Sequence, residues 1–535
     1  MTLSRYRSLT LADIDNILSN RFGKGEIDSL SKLPKPALFK DMQKATDRIK
    51  RAINNRERVI VVGDYDVDGV VSVAILRLFF QKIGFFVDWF IPNRFEHGYG
   101  FSVNIFDRVK DYDLIITVDN GISSVEEAKL CKEMGIDLII TDHHLVPKNA
   151  PDAYAIVNQK QIECNFPYKD ICGAQISWYL IASLNRALDS KVDIREYLPF
   201  VSIAVIADIM PLLDINRVMV KFGIKAMHIY KTPPIEALLE YMDKSYVDSE
   251  DIAFLIAPLL NSAGRVEDAK YALDFLMSSS LEEARLNLDR LIDFNLQRKY
   301  IEGQITKDVL DRVSVDSNII LAIGDNWHEG VIGIVASRVA RVVKKPVIVL
   351  TKSKDGLYKG SGRSFTDCDI FHIVDSARDI LERFGGHKSA IGLTLKGKNL
   401  DRLKVRMESA FIEAGYENTI LDSAILGDLD FCYINKSLVD LISRYEPFGE
   451  GNRRPKFITK NVTISNIKFL GKSKEHQKFY LTSNGITFEA LLFREYRDYK
   501  IGDIVDIIFS VRENNFNNRV TIQLILDEIE VSIFI

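Results

Sequence analysis

The sequence predicts an α/β protein in successive parts: a parallel-sheet domain, a long connecting helix, a second α/β unit and a C-terminal β-barrel. Three patterns predict it. Apolar runs alternate with amphipathic segments from Arg58 onward, Leu281–Val313 keeps helical spacing with Gly303 as its one strong breaker, and after Asp422 short apolar stretches are divided by Gly and Asn turns. Strands alternating with helices imply right-handed crossovers and a mostly parallel sheet covered on both faces. Short strands between turn residues imply a small barrel of the OB type.

Element by element, Arg58–Gly63 (RVIVVG) reads as a buried strand and Val70–Ile83 as the helix packed on it. Phe85–Ile91, Asp113–Val118, Asp137–Thr141 and Ala153–Val157 read as further strands, and Ser124–Gly135 as a helix with Gly135 at its C-terminal cap. Ala174–Val313 is mainly helical. The second α/β unit reads as strand Ile319–Ile323, helix Val331–Val343, strand Pro346–Leu350, helix Ile370–Phe384, strand Ala390–Leu395 and helix Asp401–Ala414. Barrel strands are expected at Val462–Phe469, Phe479–Thr482, Thr487–Phe493, Ile504–Val511 and Thr521–Ile529. The expected divisions are 1–57 (a helical adaptor), 58–280, 281–313, 314–421 and 422–535.

The 535 residues are 47% hydrophobic and 27% charged, enough for large cores under an ordinary surface. No stretch approaches the ~18 uncharged apolar residues of a membrane span, and acids stand in MTLSRYRSLTLADIDNIL where a signal peptide has its apolar core. Five scattered cysteines with no CxxC pair read as reduced thiols of a cytoplasmic protein. A net charge of −4 means that any nucleic-acid contact uses a local basic surface.

The strongest chemical signal is Asp64-Tyr65-Asp66-Val67-Asp68-Gly69, directly after the strand RVIVVG. One such Asp is ordinarily a helix cap. Three alternating carboxylates at a strand's C-terminal end repel one another unless cations or protons intervene, and ligands of open α/β sheets bind just there. Two more strands end alike, in Asp119 (ITVDNG) and in Asp142, His143 and His144 (IITDHH), and the apolar segment FVSIAVIADIMPL carries Asp208. Carboxylates and imidazole without thiolate suit two Mn²⁺ or Mg²⁺ ions, which clamp a phosphodiester when ~3.5–4 Å apart. Asp66 and Asp119 are expected on one ion, and Asp68, Asp119, His143 and Asp208 on the other, with Asp119 bridging. Asp64 completes the first site or orients a ligand. Asp142 and His144 fix tautomers or contact the scissile phosphate.

In order and spacing, DYDVDG, VDNG, TDHH and the ADI around Asp208 resemble the four motifs of the DHH phosphoesterases. PNRFEHGYG (92–100), NSAGRVEDA (261–269), WHEGVIGIVASR (327–338), GSGRS (360–364), FGGHKSAIGL (384–393) and EPFGEGN (446–452) narrow the likeness to the RecJ-type single-strand DNA exonucleases. Family members often carry Asn-Pro at Asn158-Gln159 and at Asn452-Arg453, and Gly at Asn326; none of these departures touches an expected ligand. The resemblance implies a DHH domain, a long connecting helix, a DHH-associated domain and an OB-fold closing the ring. It also implies 5′→3′ removal of nucleotides from single-stranded DNA in recombination and repair. Single-stranded DNA is the expected partner, with a single-strand binding protein and a helicase to deliver it, no membrane, and a monomeric enzyme. Oligoribonucleases and cyclic-dinucleotide phosphodiesterases with the same motifs generally lack such a tail, and a scaffold relative without activity would have lost ligands that are all present here.

The resemblance also assigns Ser361 and Arg363 to a 5′-phosphate pocket, with Arg94 assisting, and sets Arg265 beside the scissile phosphate as a charge stabiliser. From the residues alone, Arg265 and Arg363 sit beside Gly and Ser, which let backbone approach an anion. His328 and His387 read as structural loop histidines. Asn452–Lys478 carries eight Lys or Arg against Glu475, with Phe457, Phe469, Phe479 and Tyr480 interleaved. At least half of those rings are expected in the barrel core and the rest on DNA bases.

Overall fold

The computed structural model describes residues 7–22, 27–244, 246–314, 317–353, 356–366, 368–416, 424–471, 476–493, 498–516 and 519–532. In the first domain five strands, β1 (Val59–Val62), β2 (Asp88–Phe90), β3 (Leu114–Val118), β4 (Asp137–Thr141) and β5 (Ala155–Val157), form one sheet in the order β2-β1-β3-β4-β5. Every pairing is parallel. The order reverses between β1 and β3, and that switch point opens a crevice at the strands' C-terminal ends. β1, β3 and most of β4 are buried runs of Val, Ile, Leu and Thr, as strands covered on both faces must be. The helix after β1 spans Val67–Lys82, three residues earlier than the apolar pattern suggests, because Asp66 caps it through Gly69 N–H (3.1 Å).

The 32-residue helix Leu281–Arg312 leads from this domain into a second sheet. That sheet comprises β6 (Ile320–Asp325), β7 (Val347–Lys352), β8 (Leu357–Arg363), β9 (Leu381–His387) and β10 (Ala390–Lys396), in the order β6-β7-β8-β10-β9. Only β6 and β7 pair in parallel. Two expectations fail here. GSGR, which reads in sequence only as Gly and Ser beside an arginine, lies on strand β8 where no strand is expected, and the helix expected over Ile370–Phe384 stops at Asp375, its second half giving way to β9. Glycines deplete strand propensity, so cross-strand pairing of β8 and β9 with β10 decided both segments.

The C-terminal unit contains β11 (Ile425–Asp428), β12 (Lys456–Leu470), β13 (His476–Ser483), β14 (Ile486–Leu492), β15 (Ile504–Phe516) and β16 (Arg519–Val531). An added β12–β15 pairing closes the sheet into a barrel, as the OB expectation required. Phe457 and Phe479 are fully buried in its core, while Phe469 is exposed. Of the basic residues expected to track phosphates, Lys456 pairs with Asp527 (2.8 Å), Lys478 with Glu489 (2.6 Å), and Arg454 with Glu250 (3.2 Å) and Glu446 (3.4 Å). Lys472, Lys474 and Glu475 lie outside the described residues.

The amino-terminal segment does not act as one adaptor. Leu9, Ile14 and Leu18 pack into the barrel core with Leu438, Phe448 and Phe457, whereas Met42, Ala45 and Ile49 pack into the core of the first domain. Arg217 of the first domain caps the Phe22 ring at 4.6 Å, and Phe22 stacks on Tyr445 at 6.0 Å. Residues 7–22 therefore strap the C-terminal unit to the first domain. Leu18→Ala should cost about 2–5 kcal/mol by opening a cavity in the barrel core, read as a lower unfolding temperature of the C-terminal unit. Unchanged unfolding would show that the strap is not part of that core.

Candidate metal and phosphate site

The sheet's switch point gathers the acids. Asp64 follows β1, Asp66 caps the next helix and Asp68 lies in its first turn. Asp119 follows β3 in the left-handed region (φ 61°), its N–H donating to Thr141 O at 2.9 Å. Asp tolerates that conformation better than most residues. The helix Gly173–Leu188 points its N-terminus at the same spot, and its Gly173 and Ala174 amides donate to the Asp68 carboxylate at 2.6 and 2.7 Å. Only glycine fits at 173, where a Cβ would stand 2.6 Å from Asp119 Cβ. Asp208 caps the C-terminus of helix Leu198–Ala207, a poor place for an anion.

Three sets of ligand atoms each lie within 4.8 Å of one another: Asp64, Asp66 and Asp119; Asp68, His143 and Asp208; Asp119, His143 and His144. Asp119 belongs to two of them. His143 Nε2 is 3.2 Å from Asp119, 3.7 Å from Asp208 and 3.9 Å from Asp68. Asp64 Oδ1, Asp119 Oδ1, Asp208 Oδ2 and His143 Nδ1 are buried without hydrogen-bond partners. Such groups are costly to bury, and hard-oxygen and imidazole donors arranged this way fit divalent cations.

The electrostatics agree. Burial, then the carboxylates of Asp66 and Asp68 respectively, holds Asp64 and Asp119 well above the usual carboxylate range. Burial and Asp68 raise Asp66 and push Asp208 up to about 9. Burial brings His143 down to about 4, leaving a neutral imidazole suited to ligation. His144 behaves oppositely: burial works against its charge, but the hydrogen bond its Nδ1 donates to Asp142 (2.8 Å) lifts it to about 9. Asp142 is itself held low despite burial, because His144 and the Ile122 amide (2.9 Å) bond to its carboxylate. Asp142 thus orients His144 and is absent from the ligand sets.

A cavity of about 970 Å³ runs from His144 and Asp142 past Tyr65, Tyr99 and Arg94 to Ser361 on the second sheet. The Arg94 guanidinium lies over the Tyr65 ring (5.3 Å). Arg363 donates to Ser361 Oγ (3.0 Å), and both crowd Gly333, where a Cβ would come within 3.1 Å of either. Gly333 opens the helix Ile332–Val343, so two side chains and a helix N-terminus share one spot. Arg265, half-buried at the junction of the two domains, donates to Gly330 O (3.3 Å); loss of solvent, then Arg94 and Arg363, lowers it to about 10. Burial and Arg94 likewise lower Arg363. Arginines forced together without an anion mirror the acids forced together without a cation. His328 accepts from Gly330 N–H (3.2 Å) and packs on Phe95, a structural arrangement. Sequence reasoning missed Tyr65 and Tyr99, which lie inside the motifs, and the Gly173 and Ala174 amides, which no side-chain pattern announces.

Family models match in three places: the DHH family N-terminal domain over 58–205, the DHHA1 domain over 316–413 and the RecJ OB domain over 426–528. The single-stranded-DNA-specific exonuclease RecJ of Bacillus subtilis is 32% identical, with 93% of this chain and 64% of that protein covered. The chain thus spans under two thirds of that relative's length. The RecJ of Salmonella typhimurium is 30% identical, covering 91% and 89%, and that of Escherichia coli 31%, covering 78% and 77%. The crystal structure of RecJ from Thermus thermophilus in complex with Mn²⁺ superposes with a TM-score of 0.82 at 25% identity, over 99% of this chain and 80% of that one. Its complex with Mg²⁺ gives 0.73 at 25% identity, over 94% and 72%.

The raised carboxyls set a pH dependence. A carboxyl with an ordinary value of 3.8 that reaches about 9 in the fold, as Asp208 does, keeps a proton the unfolded chain releases. Its contribution to cation-free stability is complete below 3.8 and is lost as pH rises through about 9. A cation that replaces those protons should therefore stabilise more as pH rises. The increase in unfolding temperature on adding Mg²⁺, relative to EDTA, is expected to grow between about pH 6 and pH 8.5. A shift that is absent or flat over that range would count against these carboxylates as ligands.

Proposed function

This chain belongs to the RecJ family of DHH proteins, and on that premise we propose that it is a single-stranded-DNA-specific 5′→3′ exonuclease working with two Mn²⁺ or Mg²⁺ ions. The observation that carries the proposal is one cavity that has Asp142 and His144, beside the acidic cluster, on one side and Arg94 and Ser361 on the other. Asp66 and Asp119, with Asp64, are assigned to one ion, and Asp68, His143, Asp208 and the shared Asp119 to the other. Such a pair supplies charge neutralisation and a polarised water for in-line attack at phosphorus.

The chain's own groups supply the rest. Asp142 holds the His144 ring by its Nδ1, so that the imidazole is fixed on the wall of the cavity where a phosphate would lie. Arg265 is assigned to the scissile phosphate, where a fixed cation in a dry site favours the charge that develops in the transition state. Ser361 and Arg363, assisted by Arg94, are assigned to a 5′-terminal phosphate by charge-assisted hydrogen bonds. A terminal anion held at a set distance from the cleaving centre accounts for attack from an end. Delivery of the strand by a single-strand binding protein and a helicase, action as a monomer and a cytoplasmic location belong to the same proposal. The five unpaired cysteines support the last, and no helix among the described residues is long and apolar enough to cross a membrane.

Asp119→Ala should reduce cleavage of a 5′-labelled oligonucleotide by about 10³-fold or more while leaving DNA binding largely intact. Substantial residual turnover would refute the shared-ligand role. Arg363→Ala should lower the preference for a 5′-phosphate over a 5′-hydroxyl end by about 10-fold or more; an unchanged preference would remove the pocket assignment.

A further inference from the structure

A second cavity, about 880 Å³, opens on the other side of Arg265 and reaches the barrel. One wall is unusual. Ile252–Ile256 form a π-helical turn, a rare wide turn that often marks functional sites. It buries Ile252 and Ile256 but leaves Phe254 73% exposed. Beside it stands Ile209, 68% exposed, directly after Asp208 and in the left-handed region (φ 55°), where a β-branched residue is strained. Two large apolar side chains are thus turned out of the core into one cavity, against the rule that burial favours them.

The same cavity is lined by Arg265 and Arg341, from two different helices, and by Arg298 of a third, whose guanidinium is held by Glu302 (2.8 Å) and Asn295 (2.6 Å). The two acids lining it are already neutralised by arginines, two of them in the same wall: Glu250 binds Arg454 (3.2 Å) and Arg512 (2.6 Å), and Glu450 lies 3.8 Å from Arg453. An apolar ring opposite cations is what a single nucleic-acid strand requires, with bases on one side and phosphates on the other. Because the other cavity holds the anion pocket at Ser361, this one is left for the strand on the far side of the cut.

We propose that Phe254, supported by Ile209, is a stacking platform for one unpaired nucleobase of the strand retained after each cut. The inference rests on the exonuclease reading above and adds to it a positioning residue for the substrate. Stacking needs an open base face and no particular base, so the platform is indifferent to sequence.

The test is binding without cleavage: fluorescence anisotropy of 3′-labelled, 5′-phosphorylated oligonucleotides in EDTA, with one abasic site moved stepwise from the 5′ end. Wild type should lose about 10-fold in affinity at one abasic position. Phe254→Ala should lose about as much with the intact strand and show no further loss at that position, while Phe254→Trp should restore both affinity and the abasic sensitivity. Equal binding by wild type and Phe254→Ala, or the same abasic profile in both, would overturn the platform while leaving the exonuclease reading standing. Wild type that bound no single strand, and cut none with Mn²⁺ added, would overturn both. A loss in Phe254→Ala that the abasic site still deepens by the full amount would mean an indirect effect and would also overturn it.

Discussion

Concentrating like charge in a dry place is the constraint on which the rest of this structure depends. Asp64, Asp68, Asp119, Asp142 and His143 are all buried at one sheet edge, where their mutual repulsion has no water to screen it. The backbone around them is arranged accordingly. Helix Gly173–Leu188 turns its N-terminal amides on Asp68, a left-handed residue carries Asp119 into the centre, and a glycine at 173 lets the helix come close enough. Helix Leu198–Ala207 does the reverse, setting Asp208 against the negative end of its dipole. An arrangement that stabilises some carboxylates and destabilises others makes sense around cations, and these groups keep protons without them.

The opposite charge is concentrated just as tightly a short way off. Beyond burial, Arg94 and Arg363 lower Arg265 and Arg94 lowers Arg363, and Arg265 joins the two domains through Gly330, where a Cβ would come 2.0 Å from Arg265 O. The long helix Leu281–Arg312 keeps the two charge centres in one frame, its buried Arg298 held by Asn295 (2.6 Å) and Glu302 (2.8 Å). An anionic substrate that spans both centres would relieve both repulsions at once. Chemistry and substrate grip thus share one electrostatic cause.

Around this pair the barrel and the amino-terminal strap complete the enclosure. The barrel binds the first domain through buried polar contacts, Ser249 Oγ to Phe448 O (2.6 Å) and Leu212 N to Glu450 O (2.7 Å). Part of the basic character that made Asn452–Lys478 stand out in the sequence goes to ion pairs within the protein, Lys456 and Lys478 inside the barrel and Arg454 across to the first domain. Arg454 is the clearest case: it is mostly buried, between Glu250 and Glu446. A run of lysines and arginines shows where positive charge is, but not whether it faces a partner or a neighbouring domain.

The sequence by itself determined the order of elements in the first sheet, the long helix, the barrel strands and the identity of the acids at three strand ends. Those features follow from local periodicity and from hydrophobic runs that permit one buried arrangement. Its reading failed where local propensity and tertiary pairing disagreed, as in the glycine-rich strands β8 and β9. Only the tertiary structure decided that Asp142 bonds to His144, that the Gly173 and Ala174 amides bind Asp68, that residues 7–22 belong with the far end of the chain, and that Phe254 faces solvent. Each depends on which distant surfaces meet. Contacts between residues a hundred or more positions apart leave no period in a sequence, because the periodicity of a segment reports which of its faces is buried and never what buries it.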